Sequence, residues 1–240
     1  ASTTSIDMIN PSPSIVGSPY DVLASVSGFG VPTGTIMVDD GTGANCTITL
    51  PATSCALSSS TAGAKSISAV YSGEANNLAS NNSRPHQVDR FASTTQIIAV
   101  NPEPSAAGEL YSVEVQVTGF GVLKGQVTVD DGLGQSCVIN LPSTACSIST
   151  FTAGAVTLSA QYTGDTNNLP SADTSMHTVT QAVTNLSISA APNPVLIGAD
   201  VALMAIISDG VDPITGTVDF TVDGNLIPTC TGLALSLIHI

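Results

Sequence analysis

The chain has 240 residues, of which 42% are hydrophobic, 9% are charged and 4% are aromatic, with no tryptophan. Ordinary domains carry about 25% charged residues, so small polar and small apolar side chains must make up most of this surface. Eighteen acidic residues against four basic ones give a net charge of −14. Such a surface repels phosphate backbones, which argues against a nucleic-acid partner. No run approaches the ~18 apolar residues of a membrane helix, so no membrane span is expected in this fragment.

One segment of the sequence occurs twice. Ala62–Ser80 (AGAKSISAVYSGEANNLAS) returns 91 residues later as Ala153–Ser171 (AGAVTLSAQYTGDTNNLPS), with 11 of 19 positions identical. Three further motifs recur at the same interval, namely Ser2-Thr3-Thr4, Gly28-Phe29-Gly30-Val31 and Asp39-Asp40-Gly41. A fixed interval of this kind indicates modules in tandem. We predict modules at residues 1–92 and 93–183, followed by a third, truncated copy at residues 184–240.

The hydrophobic residues within a module repeat every two positions. Tyr111, Val113, Val115 and Val117 alternate with polar residues, which is typical of a strand with one buried face. Six more short strands are predicted around Ile97, Val127–Val129, Ile139–Leu141, Ile148, Leu158–Tyr162 and Val179. No segment keeps a helical period. Seven strands in about 91 residues favour an all-β fold, a Greek-key sandwich of the immunoglobulin type.

Several motifs also resemble those of a known family. The opening STT, the N-x-x-P-x-x-x-G entry, the G-x-V-x-V-D-D-G strand and the A-G-x(7)-Y-x-G-[DE]-x-N-N signature are similar to bacterial Ig-like repeats. The resemblance extends over nearly the whole chain, although the third copy is cut short. It implies tandem Ig-like modules of bacterial surface or secreted proteins, and hence a place outside the cell or on its surface. It does not imply a ligand, because one sandwich fold hosts many functions.

The modules are joined without a flexible linker. The segment 86–92 leads directly into Ser93 and holds no Gly/Ser tract of the kind that makes a linker flexible. We therefore expect the last strand of one module to pass into the first strand of the next after a few residues. Modules joined in this way would form a semi-rigid rod.

Four cysteines form two equivalent pairs, Cys46 with Cys55 and Cys137 with Cys146, each nine residues apart. If Leu50-Pro51 is the tip of a hairpin, the first pair faces across neighbouring strands, within reach of a disulfide. Two disulfides are the preferred interpretation, with free buried thiols or a metal site as alternatives. A zinc site would need four ligands in more closely spaced pairs. Disulfides indicate an oxidising compartment outside the cytoplasm.

The third copy contains one cysteine and an unusual end. Cys230 takes the place of Cys46, and its partner would fall near residue 239, where the sequence has His239. The last six residues, Leu235–Ile240, do not continue the repeat. We interpret them as translated adapter sequence on an incomplete gene, and a native strand is the alternative.

Two acidic motifs follow predicted strands. Asp39-Asp40-Gly41 and Asp130-Asp131-Gly132 offer oxygen ligands for calcium, but the spacing of EF-type loops is missing and Asp-Gly commonly forms a turn. A turn is the preferred interpretation, with a weak cation site as the alternative. Glu74-Ala75-Asn76-Asn77 and Asp165-Thr166-Asn167-Asn168 are interpreted in the same way, as turns whose Asn and Asp residues tolerate positive φ. We predict no metal site and no cofactor.

The histidines and tyrosines are interpreted as structural. His86 and His177 occupy equivalent positions in separate modules, and no nucleophile, base and carboxylate are expected to cluster within one module. Tyr71 and Tyr162 resemble the corner tyrosine of Ig-type sandwiches, whose hydroxyl bonds to nearby backbone. Sugar stacking on these rings is the alternative, which the shortage of aromatic residues disfavours. The chain is therefore predicted not to be an enzyme.

These features lead to one preferred functional hypothesis. Near-identical modules, short joints and paired cysteines indicate a non-enzymatic extracellular structural protein, namely a stalk, surface fibre or filament subunit of stacked Ig-like repeats. Its expected partners are adjacent Ig-like modules or neighbouring copies of itself. The alternative is an adhesin, or accessory modules of a larger surface protein, that binds carbohydrate or a host surface.

Overall fold

The first module is built from short strands separated by turns. A computed structural model describes residues 1–208 and 216–234, and over these residues it contains strands and no helix. The strands of the first module are β1 (Thr3–Asn10), β2 (Ser14–Ile15), β3 (Tyr20–Ser27), β4 (Thr35–Asp39), β5 (Asn45–Thr49), β6 (Ser54–Leu57), β7 (Gly63–Tyr71) and β8 (Ser80–Asp89).

The second module repeats this order. Its strands are β9 (Thr94–Asn101), β10 (Ser105–Ala106), β11 (Leu110–Thr118), β12 (Gln126–Asp130), β13 (Ser136–Asn140), β14 (Ala145–Ser149), β15 (Gly154–Tyr162) and β16 (Ser171–Thr180). Apart from the two-residue β10, they are the seven strands that the alternating hydrophobic residues predict.

The strands of each module form two sheets. In the first module, β1-β3-β6 make one sheet and β2-β8-β7-β4-β5 make the other, and the second module has the equivalent sheets β9-β11-β14 and β10-β16-β15-β12-β13. The pairings are antiparallel, apart from the short parallel contacts of β2 with β8 and of β10 with β16. The chain thus changes sheet between β5 and β6, and again between β13 and β14. The predicted all-β fold of tandem Ig-like sandwiches is confirmed.

The core of each module lies between its sheets. In β3, Tyr20, Val22 and Ala24 are buried and pack with Ile67 and Tyr71 of β7 in the opposite sheet. The alternation that predicts these strands arises because successive side chains point to opposite faces. Burial of a Val or Ile side chain contributes about 1.5–3 kcal/mol, so these central strands contribute much of the stability.

The second core is separate from the first. Its buried residues lie between Tyr111 and Val179, whereas those of the first cluster lie between Ile6 and Tyr71. Strand β8 ends at Asp89 and β9 begins at Thr94, so four residues separate the two modules. The boundaries at residues 92 and 183 stay a prediction.

The third module is less completely described. It contains the antiparallel pair β17 (Asn185–Ala191) and β18 (Ala202–Ser208), followed by four two-residue strands, β19 (Thr217–Val218), β20 (Thr221–Val222), β21 (Asn225–Leu226) and β22 (Leu233–Ala234). Leu235–Ile240, and with them the expected partner position of Cys230, lie outside the described residues. Within residues 1–208 and 216–234, no helix is long and apolar enough to cross a membrane.

Candidate functional site at the junction of the first two modules

The four paired cysteines link strands of opposite sheets. Cys46 in β5 is bonded to Cys55 in β6 with 6.0 Å between their Cα atoms, and Cys137 is bonded to Cys146 with 6.1 Å. The predicted hairpin is wrong, because β5 and β6 belong to different sheets. The Leu50-Pro51 turn carries the chain from one sheet to the other, and the disulfide closes that crossing. Among the described cysteines, Cys230 is free.

The Asp-Asp-Gly motif shapes the turn after β4. The Asp39 carboxylate accepts a hydrogen bond from the Gly41 N–H (2.6 Å). Asp40 is buried and accepts from the Thr42 N–H (2.8 Å) and the Ser59 hydroxyl (2.6 Å). Burial alone would raise the pKa of Asp40, but its hydrogen bonds, led by the one from Ser59, outweigh burial and lower the pKa. The turn interpretation thus accounts for both carboxylates.

Behind this turn, polar groups continue into the core. The Tyr20 hydroxyl bonds to Ser59 (2.9 Å), and the Tyr20 ring packs on His86 with their centroids 4.5 Å apart. The His86 ring in turn bonds to the Ser14 hydroxyl through Nε2 (2.8 Å). His86 therefore occupies the structural role predicted for it.

The equivalent histidine of the second module has a carboxylate beside it. His177 Nε2 bonds to the Ser105 hydroxyl (2.8 Å), and its Nδ1 bonds to Glu103. A hydroxyl, an imidazole and a carboxylate are thus aligned, so the prediction that no such group clusters within a module is wrong. Ser105 and His177 are each only 1% exposed, however. A substrate carbonyl could not reach the hydroxyl, and the cluster fastens β10 to β16.

Two tyrosines hold the loops that precede β4 and β12. The Tyr71 hydroxyl donates to the Thr33 carbonyl (2.6 Å), and the Tyr162 hydroxyl donates to the Lys124 carbonyl (2.7 Å). The predicted hydrogen bond to backbone is confirmed, but its acceptor lies 38 residues earlier in the chain. Because both rings are buried, they are closed to sugar stacking.

The second Asn of each Asn-Asn pair fixes the Gly-Phe-Gly loop. Asn168 accepts from the Phe120 N–H (2.7 Å) and donates to its carbonyl (3.1 Å). Asn77 brackets Phe29 with the same two bonds, at 2.7 and 3.0 Å. The expected positive φ is wrong, since Asp223 alone among the described non-glycine residues has one. The Asn pair is used for its amide hydrogen bonds.

Asp165 completes this loop. Burial alone would raise its pKa, but hydrogen bonds from the Lys124 N–H, Asn168 and Asn167 lower the pKa to about 2. The Tyr162 hydroxyl shares its proton between the Lys124 carbonyl and Asp165 (3.1 Å), and its pKa is raised to about 12 by burial and by that carboxylate. An ionised Asp165 therefore keeps the loop in place over the ordinary pH range.

The first Asn of the pair contacts the neighbouring module. Asn167 accepts a hydrogen bond from the Ala62 N–H (3.0 Å) and donates to the Ser60 carbonyl (3.2 Å). Both partners lie in the first module, in the turn before β7. The Asn-Asn pair that recurs in both copies is the sequence signal for this contact. The pair does not identify the contact by itself, because a local turn explains the same residues.

Aromatic rings fill the space beside these bonds. The Phe120 ring lies so close to Gly17 of the first module that a Cβ at Gly17 would be 2.1 Å from Phe120 Cε2. On another side, the centroid of Phe91 is 6.3 Å from that of Phe120, within the range of favourable aromatic pairs. Gly17 has a φ of 77°, a conformation that glycine adopts without strain. Position 17 thus requires glycine for two reasons. Its backbone adopts a positive φ, and a side chain there would clash with the Phe120 ring.

The linker itself adds backbone hydrogen bonds. The Phe91 N–H donates to the Asn167 carbonyl (2.8 Å), and the Phe91 carbonyl accepts from the Leu169 N–H (2.8 Å). Ser93 then donates to the Leu169 carbonyl (2.6 Å). Two of the four residues between the modules, Phe91 and Ser93, are therefore hydrogen-bonded to the loop of the second module.

Residues 8–89 match the sequence model of the family described as "Bacterial Ig-like domain (group 3)". This match spans most of the first module and confirms the resemblance that the repeated motifs suggest. A search of the curated proteins finds no match to the chain.

Solved structures with detectable similarity to this chain include parts of other proteins. One is a tetra-tandem repeat in the extending region of a large adhesion protein, with 16% identity, 87% of this chain and 63% of that chain covered, and a TM-score of 0.43. Another comprises fibronectin(III)-like modules of Clostridium thermocellum CbhA, with 15% identity, coverage of 74% and 94%, and a TM-score of 0.34. The D0-D1 domain of intimin matches with 15% identity, coverage of 74% and 97%, and a TM-score of 0.24. At these values the similarity carries no argument about function.

Proposed function

We propose that this chain is a non-enzymatic extracellular structural protein, part of a stalk, surface fibre or filament in which Ig-like modules are stacked in series. In this role the modules provide length, and the junctions between them provide stiffness. The disulfides support a place outside the cytoplasm, because thiols there are not kept reduced. The family match of the first module supports a bacterial surface or secreted protein.

The junction is the observation on which the proposal rests. Asn167 bonds to two backbone groups of the first module, and Phe120 packs on Gly17. Phe91 also pairs through its backbone with the loop of the second module. Modules joined by a flexible linker would not be held together by such contacts, so the arrangement supports a joint that resists bending.

A structural role also agrees with the use of the polar loops. Asp40 and Asp131 are buried and bonded to hydroxyls of their own modules, at 2.6 and 2.9 Å. In the second module, Asn168 is hydrogen-bonded to its own loop and Asn167 is hydrogen-bonded to the first module. The adhesin alternative would require these groups to face a ligand, so we favour the stacked rod.

The experiment compares the tumbling of the two modules in solution. In the full chain, ¹⁵N NMR relaxation should give both modules one shared rotational correlation time, and small-angle scattering should give an elongated particle. The control variant carries a Gly-Gly-Ser-Gly insertion between Ala92 and Ser93, which separates the modules without touching either core. It should give two shorter correlation times. Independent tumbling of the modules in the unmodified chain would refute the rod.

A further inference from the structure

At the end that faces away from the second module, the first module carries the same surface that the second module uses to contact the first. We call this surface the leading pole, defined as Phe29, Asn76 and Leu78. Each residue lies 91 positions before its counterpart in the second module, and these counterparts are Phe120, Asn167 and Leu169.

The hydrogen bonds that hold the backbone of the two surfaces in place are also the same. Asn77 brackets Phe29 as Asn168 brackets Phe120. The Ser2 hydroxyl donates to the Leu78 carbonyl (2.5 Å), as Ser93 donates to the corresponding carbonyl of the second module (2.6 Å). The leading pole is therefore held in a defined shape by its own module, with or without a neighbour.

The two surfaces differ in what covers them. Phe29 is 79% exposed and Leu78 is 73% exposed, whereas Phe120 is half-buried and Leu169 is 40% exposed. The covering groups in the second case belong to the first module and its linker. Large apolar side chains that are rigidly held and exposed together commonly mark an interaction surface.

We infer that the leading pole of the first module is a docking surface for the end of another Ig-like module of the same type. This inference rests on the proposed stacking of modules. The occupant must supply what the first module supplies at the junction. It needs a glycine equivalent to Gly17 under the Phe29 ring, and a free N–H and carbonyl equivalent to those of Ala62 and Ser60 for Asn76. A neighbour with a side chain at the glycine position would clash with the ring.

A further module can be added before Ala1 without changing the linker sequence. Ala92-Ser93-Thr94-Thr95 corresponds to Ala1-Ser2-Thr3-Thr4, so residues 1–91 placed directly before Ala1 recreate the natural joint after Phe91. In the full chain extended in this way, the added module should dock on Phe29 as the first module docks on Phe120.

Cysteine trapping tests the contact. Ala62→Cys in the added module and Asn76→Cys in the first module should form a disulfide under mild oxidation, because docking would place these positions as Ala62 and Asn167 are placed, where the Asn167 side chain reaches the Ala62 backbone N–H (3.0 Å). The reference is Ala62→Cys with Asn167→Cys in the unextended chain, where the two residues are in contact. The matched control pairs Ala62→Cys of the added module with Ser83→Cys, an exposed position in the middle of β8. All variants carry Cys230→Ser to remove the free thiol.

The inference predicts that the pair at 62 and 76 cross-links as completely as the reference, that the Ser83→Cys control does not, and that Phe29→Asp abolishes the cross-link. Failure of the 62 and 76 pair while the reference pair forms would overturn the inference and leave the stacked rod standing. Failure of the reference pair would overturn both. Equal cross-linking of the Ser83→Cys control would show that the added module is not docked, and would also overturn the inference.

Discussion

Asn167 and Ala62 are 105 residues apart in the sequence, and a 3.0 Å hydrogen bond joins the side-chain oxygen of the first to the backbone N–H of the second. The equivalent residue of the first module, Asn76, is exposed and makes no contact with another module in the described residues. The same side chain thus contacts a neighbouring module at Asn167 and is exposed at Asn76, so Asn76 provides an internal control for measuring the junction.

Asn167→Ala should weaken the coupling between the modules. It removes two hydrogen bonds, to Ala62 and Ser60, and each is expected to contribute about 0.5–1.5 kcal/mol, at the lower end because the site is partly open to water. Calorimetric unfolding of the full chain should show a lower transition temperature for the less stable of the two modules. The matched variant Asn76→Ala should leave both transitions in place. Equal effects of the two substitutions would contradict a role for Asn167 in the junction.

Gly17→Ala should disturb the junction more than a glycine substitution that only strains the backbone. The new Cβ would lie 2.1 Å from the Phe120 ring, and overpacking of this kind typically costs about 1–3 kcal/mol. Gly30→Ala is the control, because Gly30 also has a positive φ (68°) but no atom within 4 Å of the added Cβ. The rotational correlation times of the modules should separate in the first variant and stay shared in the control. The prediction fails if Gly30→Ala separates them equally.

The seven strands and their buried faces could be predicted because they follow from local alternation. Tyr111, Val113 and Val115 must point to one side of a strand, and the structure buries all three. The corner position of Tyr162 was predictable for a similar reason, since its place in the repeat matches a known feature of the fold. These features depend on the order of residues within one module.

The crossing between the sheets and the junction could not be predicted in this way. A nine-residue spacing between Cys46 and Cys55 suits a hairpin and a sheet-to-sheet crossing equally well, and only the pairing of β6 with β3 decides between them. The contact of Asn167 with Ala62 depends on how two modules are placed, which no single-module pattern contains. The alignment of Glu103 with His177 was missed because 74 residues separate them.

Removal of the disulfide from the first module should destabilise that module alone. By the chain-entropy estimate, closing a loop of this length contributes roughly 2–3 kcal/mol. The double variant Cys46→Ser, Cys55→Ser should therefore lower the transition temperature of the first module in calorimetry, and leave that of the second module near its original value. Cys230→Ser is the control, because that thiol is free. A shift of the second transition as large as that of the first would contradict the assignment of one disulfide to each module.

At acid pH the stabilities of the two modules should differ. Burial lowers the pKa of His86, and the opposing effect of Asp89 is smaller. The hydroxyls of Ser12 and Ser14 and the ring of Tyr20 surround the imidazole, and none of them carries a charge that could balance a proton. The unfolded chain therefore binds this proton more tightly than the folded module. The free energy of unfolding of the first module should fall as the pH drops below about 6.5.

In the second module, Glu103 takes the place of Ser12 beside the histidine. Burial alone would raise the pKa of Glu103, but its hydrogen bonds with His177 and Thr178 outweigh burial and lower the pKa below 4.5. The stability that this carboxylate provides is therefore present above about pH 4.5 and is lost below it.

Between pH 6.5 and 4.5 the first module should therefore lose stability, while the contribution of Glu103 to the second module remains. Calorimetry of the full chain at pH 7 and pH 5 measures the difference. Ser12→Glu places a carboxylate beside His86, where it can balance a proton on the buried imidazole, and should reduce the acid loss of the first module. Glu103→Ser should remove the contribution of Glu103 to the second module at both pH values. An unchanged acid loss in the Ser12→Glu variant would show that the acid response of the first module comes from groups other than His86.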